Sequence, residues 1–581
     1  MTDYSAWYWK FIPHYRDVKD PDLYDENGSE IIYDIHNSKD TQLIEYRDES
    51  NRKWYKVFDE YEYRLNKYKR QEKTWWGWFD KNATAQEKKF LTKLDFMIVL
   101  YSIAGFWSMN LNQANISNAY VSGMKEGLNM YGNELSNSNA LYNAGCTIFQ
   151  LVFMYVFPRV PLNYLFLIGN LGWSIITLAS AHVQTAQQLY VSRFFVGAFE
   201  SGYFILVHYL FGSWYKGLEI NYRGGIFYCG LYLGVLTSGL LQGQIYESLN
   251  NVLGLPGWRW MFIIDGAITI PIAIYGFYVV PGTPENCTSL FLTDEEILLA
   301  RRRLREANIV SPSRDPPPFL NWKLWKKVIS SWPIYILMVM DGLFWNASGA
   351  VKNAGFALWL KSLNRYSTPE LNRLTSIPPA LAIAFVLAVC FSADIIKSRS
   401  IAILWGTTIT LTTNLILAIW EVPESAKWYS FYLSYFGYTI SSVVYGWLND
   451  IMRHDPQERA IVLCAANIFS QQSTAWLVPL TFPTVEGPRF KKGYIFATVV
   501  DVVLLLWVLL TYFFYKREER KNAKINGIVL YNSSKGDVPL EVREHLASKS
   551  DDSESDVVGS QINENKGDFN EDIKEIREEK L

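Results

Sequence analysis

Polar and apolar positions are sorted along this chain rather than mixed. Residues 1 to about 90 are polar and mixed in charge, apolar runs of about 20 residues follow one another from Leu94 to Tyr515, and beyond Lys524 the chain turns acidic and serine-rich. About 20 residues at 1.5 Å per residue cross about 30 Å, the thickness of bilayer hydrocarbon. The runs predict spans at 95–113, 137–157, 162–182, 187–212, 224–248, 260–280, 334–360, 371–393, 399–420, 427–449, 458–479 and 493–515. One long charged stretch, Pro281 to Pro333, divides them six and six, as expected of a solute transporter built from repeats. The expectation is an all-α integral membrane protein of twelve transmembrane helices. Two six-helix bundles (91–280 and 334–515) are joined by a middle loop (281–333) and flanked by tails (1–90 and 516–581). The seventh run, interrupted by Asp341 and Lys352, and the tenth, rich in Ser, Tyr and Gly, are the weakest, as helices lining a polar cavity would be.

Composition refines this picture. A mean hydropathy of −0.01 looks soluble only because the charges gather in the two ends and the middle loop. Net charge is −2 with no dense basic tract, which argues against a nucleic-acid partner. Aromatic clusters at the run ends, such as Trp258-Arg259-Trp260 and Lys427-Trp428-Tyr429, fit anchoring at the membrane interface. The five cysteines are scattered, four of them inside apolar runs, and read as packing residues without a disulfide or metal framework. No basic segment followed by an apolar one opens the chain, so the first span serves as the insertion signal. Basic residues favour one side: Lys88, Lys89 and Lys93, then Arg159, Lys216 and Arg223, the Arg301–Arg305 group, Lys397 and Arg399, Arg453 and Arg459, and Lys516 to Lys521. The positive-inside rule then places both tails and the middle loop in the cytosol, which requires an even number of spans. The N-terminal tail is expected to be mostly flexible with an interfacial helix near its end, and the C-terminal tail disordered.

An ionisable residue inside a membrane is a functional candidate by default. The fourth span has the densest set. Arg193 and Glu200, seven apart, share a helix face, and His208 follows. Arg193 with Glu200 is either an ion pair tying helices together or part of a transport site. Glu200 and His208 are candidate proton carriers, while a hydrogen-bonded packing role is the simpler reading of His208. In the seventh span Trp345, Asn346 and Lys352 join Asp341; Lys352 either meets an anionic substrate or snorkels to the interface. Asn110, Gln113, Tyr228, Tyr445 and Asn467 complete the candidate lining as a set, although each alone reads as a helix–helix hydrogen bond. Glycines 230, 234, 239 and 243 permit close helix approach. Asp394 and Arg399, at the turn between the eighth and ninth spans, form a candidate gate. No His/Cys/Asp cluster at ligand spacing and no phosphate-cradling loop is present, which argues against an enzyme, a metal or a cofactor.

The Ala393-Asp-Ile-Ile-Lys-Ser-Arg399 turn resembles the loop motif of the major facilitator superfamily, although the first-half counterpart, Phe157-Pro-Arg-Val-Pro161, is degenerate. The stretches Asn118–Asn129, Arg193–Glu200 and Gly257–Asp265 resemble the fungal allantoate permease family, the anion:cation symporter branch of that superfamily. Leu290–Glu296 and Asn526–Ser533 extend the likeness, and Phe199-Glu-Ser201 and Gly212–Lys216 are similar to its pantothenate carriers. The resemblance implies proton-coupled uptake, across the plasma membrane, of a small organic anion or vitamin-like carboxylate. Biotin, pantothenate, allantoate or a sulfur-containing amino acid derivative are the classes implied. Within that frame Arg193 and Lys352 attract the carboxylate, and Glu200 or His208 takes the proton. The competing expectation is a transporter-like nutrient sensor that signals through its tails.

Overall fold

A computed structural model describes residues 12–19, 45–50, 52–65, 78–80, 83–131, 134–156, 159–307, 309–310, 321–348, 355–366, 368–483 and 486–543. It divides into a large unit, Met1–Val18 with Ala83–Thr511, and a small one, Lys19–Asn82 with Tyr512–Leu581.

In the first half of the large unit, helices follow the predicted spans: α1 (Ala85–Ala119), α2 (Glu134–Val156), α3 (Leu162–Ser180), α4 (Ala186–Glu200), α5 (Tyr203–Trp214), α6 (Gly217–Leu249) and α7 (Gly257–Val279). The connector carries α8 (Asp294–Glu306) and α9 (Trp322–Ser330). The second half holds α10 (Trp332–Ala347), α11 (Gly355–Ser362), α12 (Thr368–Thr375), α13 (Ile377–Ile396), α14 (Arg399–Ile419), α15 (Glu424–Tyr432), α16 (Phe436–Thr439), α17 (Ser441–Ile451), α18 (Pro456–Thr481) and α19 (Lys491–Lys521). Side chains cap several starts: Thr84 accepts from Glu87 N, Ser398 from Ile401 N, and Asp455 from the amides of Gln457 and Glu458. Gly123, at φ +106, ends the first span in a kink that a side chain would strain.

Among the described residues nine helices are long and apolar enough to cross a membrane, and the pair α9 and α10, bent by 62°, makes ten. The second and tenth predicted spans fall short for different reasons. Asn- and Ser-rich turns open α2, whereas the tenth span is cut into α15, α16 and α17. The fourth span also breaks, at Ser201-Gly202, between α4 and α5.

The middle loop is folded at both ends. Arg303 binds Glu87 and Glu219 at 2.7 and 2.6 Å, and Lys93 binds Glu296 at 2.7 Å, fastening α8 to the first half. Val310 N donates to Arg453 O at 2.9 Å and Lys327 pairs with Asp455 at 2.6 Å, joining the other end to the second half. Residues near the N-terminus add to this: Arg16 N donates to Cys287 O at 2.9 Å and its guanidinium pairs with Asp294.

The small unit corrects the expectation of a mostly flexible tail at one end and a disordered one at the other. Strand β1 (Glu45–Asp48) pairs in parallel with β2 (Ile528–Tyr531), Tyr46 opposite Val529. Glu62 receives Arg52 at 2.6 Å and Lys516 at 2.5 Å. Burial opposes ionisation of Glu62, but these bonds outweigh it and hold the carboxyl below the usual glutamate range. Local composition conceals this fold because the partners lie more than 450 residues apart. The acidic serine-rich end from 544 onward lies outside the described residues.

Candidate functional site

The seam between the halves is joined at the end that carries the connector, here the loop end. Arg399 Nη2 donates to Gly217 O at 2.6 Å, Arg459 Nη1 to Gly212 O at 3.1 Å, Asn221 Nδ2 to Asp394 at 2.9 Å and Ser442 Oγ to Asn221 O at 3.0 Å. Glycines allow this closeness: a Cβ on Gly224 would meet Ser442, and one on Gly446 would meet Asn221. Toward the opposite, far end, a Cβ on Gly239 or Gly243 of α6 would meet nothing within 4 Å, so of these four glycines only Gly230 and Gly234, close against α1, serve tight packing. Asp394 and Arg399 thus both stand in the closed loop end, and Arg399 also binds Asp450 at 2.8 Å. The first-half counterpart, Arg159, lies over the Tyr155 ring at 4.4 Å.

In the first half a buried polar cluster forms around Glu200, which is 1% exposed. Asn112 Nδ2 donates to its Oε1 at 3.0 Å, and Tyr142 Oη and Gln113 Nε2 donate to its Oε2 at 2.7 and 3.2 Å. Asn112 also reaches Thr177 at 3.2 Å, so side chains from α1, α2, α3 and α4 converge. Every one of these partners is neutral. Of the two readings of Arg193 with Glu200, the ion pair does not form among the described residues. The guanidinium lies 4.6 Å over the Tyr142 ring, and its Nε has no hydrogen-bond partner. Two helical turns, about 10 Å of rise, leave room for Tyr142 between the two charges. The cluster therefore holds a buried cation and a buried carboxylate that make no direct ion pair. Asn110 stands apart, its amide turned onto Phe106 O at 2.7 Å.

His208 is buried at the seam, Nδ1 donating to Phe204 O at 2.9 Å and Nε2 without a partner. Its ring is packed by Phe204, Phe227 and Tyr445, the last at 4.5 Å between centroids. Tyr228 bonds Ser441 across the seam. Tyr445 and Asn467 lie in one chain: Gln150 Nε2 donates to Asn467 Oδ1 at 2.7 Å, Asn467 Nδ2 to Tyr445 Oη at 3.1 Å, and Tyr445 Oη to Asp341 Oδ2 at 3.0 Å.

The remaining candidates lie in the second half. Trp345 packs on Tyr438 at 5.3 Å, and Asn346 ties α10 to α18 through Ser473 at 2.7 Å, a helix–helix bond. Lys352 lies outside the described residues. A cavity of about 160 Å³ opens beside the break in the tenth span, lined by Ser348, Thr410, Asn414, Ser434, Tyr435 and Phe356 among others, none of the described lining residues being charged. Behind it Asn414 donates to the buried Asp501 at 2.7 Å.

Several of these groups escape a reading of the sequence. Tyr142 is one tyrosine among 37, and Gln150 lies in an apolar run without a charge to mark it. Asp95 and Arg223, bound at 2.5 and 2.8 Å, are 128 residues apart. Arg223 and Arg459 count as loop cations in the charge map, yet both are fully buried. Among the described residues no group of three His, Cys, Asp or Glu is placed to hold a metal ion, and the cysteines are free and buried.

Comparison with known proteins matches residues 102–478 to the Major Facilitator Superfamily. The chain is 39% identical over 572 residues to the vitamin H transporter of Saccharomyces cerevisiae, covering 92% of this chain and 96% of that protein. It is 33% identical over 440 residues to a pantothenate transporter of Schizosaccharomyces pombe, covering 75% and 84%. In fold it is similar to the proton:xylose symporter XylE, with a TM-score of 0.57 and 15% identity over 73% of this chain and 96% of that one. The relatives are transporters rather than enzymes. The chain thus belongs to the major facilitator superfamily, as a multi-pass membrane transporter with twelve spans in two six-helix halves.

Proposed function

We propose that this transporter is a proton-coupled symporter of the allantoate permease branch that brings a small vitamin-like carboxylate into the cell, with biotin as the first substrate to test. One observation carries this reading: Arg193 and Glu200 are buried in one cluster, separated by Tyr142. Arg193 receives the substrate carboxylate through charge-assisted hydrogen bonds, and Glu200 takes the proton. Binding both adds no net charge beyond that of the empty site, which favours the switch between outward- and inward-facing states. The 39% likeness to a vitamin H transporter supports biotin. The sensor alternative has no comparable support.

The carrier lies in the plasma membrane with both tails and the connector in the cytosol, the side that the basic residues favour. The joined loop end is then the closed cytosolic gate, held by Asp394, Arg399 and Arg459, and the far end faces outward. Lys352, Gln113, Tyr228, Trp345 and Asn467 remain candidates for substrate contact, and His208 for proton movement. The test is uptake of labelled biotin, pantothenate and allantoate, at two external pH values, in cells lacking their own carriers. Acid-stimulated accumulation of biotin is expected; accumulation of none of the three overturns the reading.

A further inference from the structure

The chain from Gln150 to Asp341 crosses the seam and ends on a charge, and its direction is fixed. Gln150 and Gln471 both donate to the Asn467 oxygen, at 2.7 and 3.0 Å, so the Asn467 NH2 faces Tyr445. Tyr445 accepts that bond at 3.1 Å, and its own hydrogen goes to Asp341 at 3.0 Å. The arrangement requires an acceptor at Asp341, and a carboxylate is a stronger one than the carbonyl oxygen of the neutral acid. Asp341 is 0% exposed and has no lysine or arginine partner among the described residues. The titratable groups facing it are Tyr445 and Tyr228, the second bonded to Ser441, and the His208 ring lies against Tyr445. A lone buried carboxylate inside a membrane protein is costly and marks an ion or proton pathway.

We propose that Asp341 is a second proton-binding residue of this carrier, and that its protonation loosens the seam by weakening the hydrogen-bonded chain through Tyr445 and Asn467. The step is carboxylate plus proton giving carboxylic acid, with no other reactant. Asp341 Oδ1 has no hydrogen-bond partner among the described residues, so it can take the proton while Oδ2 goes on accepting from Tyr445 as a neutral carbonyl. The charge-assisted bond from Tyr445 then becomes a neutral one, about half as strong, and polarises the bond from Asn467 less. Gln150, on the first half, is then held less tightly by the Asn467 oxygen. A proton bound in the second half thereby loosens a bond between the halves, as alternating access requires. Asp341 is a positioning residue here, acting on the seam through its neighbours. The inference rests on the proton-coupled reading and adds a second site to it.

The test is pH-difference infrared spectroscopy of the full-length carrier in proteoliposomes without substrate, alongside uptake of labelled biotin. Asp341→Asn is expected to remove one protonated-carboxyl C=O band, and Glu200→Gln a different one. Tyr445→Phe is expected to keep the Asp341 band but shift its frequency, because that carboxyl has lost its hydroxyl partner. Asp341→Glu, a check on folding, is expected to restore a band. If Asp341→Asn leaves the spectrum unchanged while Glu200→Gln removes the only titrating band, the proposal falls and the symport reading stands. A wild-type carrier whose biotin uptake ignores the proton gradient removes the symport reading first, and this proposal with it.

Discussion

The two halves place buried acids in the same membrane but surround them differently. In the first half Glu200 lies near a cation with which it makes no direct ion pair, and Asp95 is bound bidentately by Arg223. In the second half Asp341 and Asp501 meet a hydroxyl and an amide, and the cavity beside Ser348 has no charged group among its described lining residues. Arg459, which opens α18 as Arg223 opens the turns of α6, reaches carbonyl and hydroxyl oxygens of the opposite half. The difference teaches that a repeated architecture divides its labour: among the described residues the first half sets a cation in the same cluster as its buried Glu200, while the second leaves Asp341 to neutral hydrogen-bond partners and keeps its own ion pair, Arg399 with Asp450, at the seam.

If so, substitutions of equal size should have unequal effects. The largest is expected at the buried pair. Asp95→Asn leaves Arg223 buried with a neutral partner, and removing one member of such a pair costs about 3–5 kcal/mol. A lower yield of folded carrier and a markedly lower melting temperature in detergent are expected; an unchanged melting temperature would show that the pair is dispensable. Next is Arg193→Ala. Losing charge-assisted bonds worth about 1.5–3 kcal/mol should raise the Michaelis constant for biotin by about 10–100-fold, with part recovered in Arg193→Lys. Ser434→Ala, beside the cavity, should cost about 2–10-fold, as one neutral hydrogen bond does. Equal effects from these two would erase the division of labour.

The smallest effect concerns the tail unit. Because the Glu62 carboxyl is held below its usual range when folded, its contribution is fully present above the unfolded value of about 4.3. It is lost as pH falls through the lower folded value. Crosslinking between cysteines placed at Tyr46 and Val529, which are paired in register, should fall by about two-fold over that acid window and be flat in Glu62→Gln. A wild-type yield that does not change with acid would mean that other bonds hold the strands.

The sequence made the membrane architecture legible because hydrocarbon imposes a length on every span, so twelve runs are readable without any contact. Local charge also marked Glu200, Arg193 and the Asp394–Arg399 turn. Pairing was not legible. Arg193 and Glu200 share a helix face, which left an ion pair and a transport site equally open, and a tyrosine from another span separates them. Asp341 registered as an interruption of a span rather than as the end of a chain reaching Gln150, because every link in it comes from a different helix. The tails read as mostly flexible at one end and disordered at the other because β1 needs β2, at the other end of the chain.

The central claim, that Glu200 binds the proton that drives uptake, is tested most directly by accumulation of labelled biotin in proteoliposomes under an imposed pH gradient. The wild-type carrier should concentrate biotin in the direction of proton flow, and Glu200→Gln should bind biotin yet fail to concentrate it. A Glu200→Gln carrier that concentrates biotin as the wild type does would contradict the account.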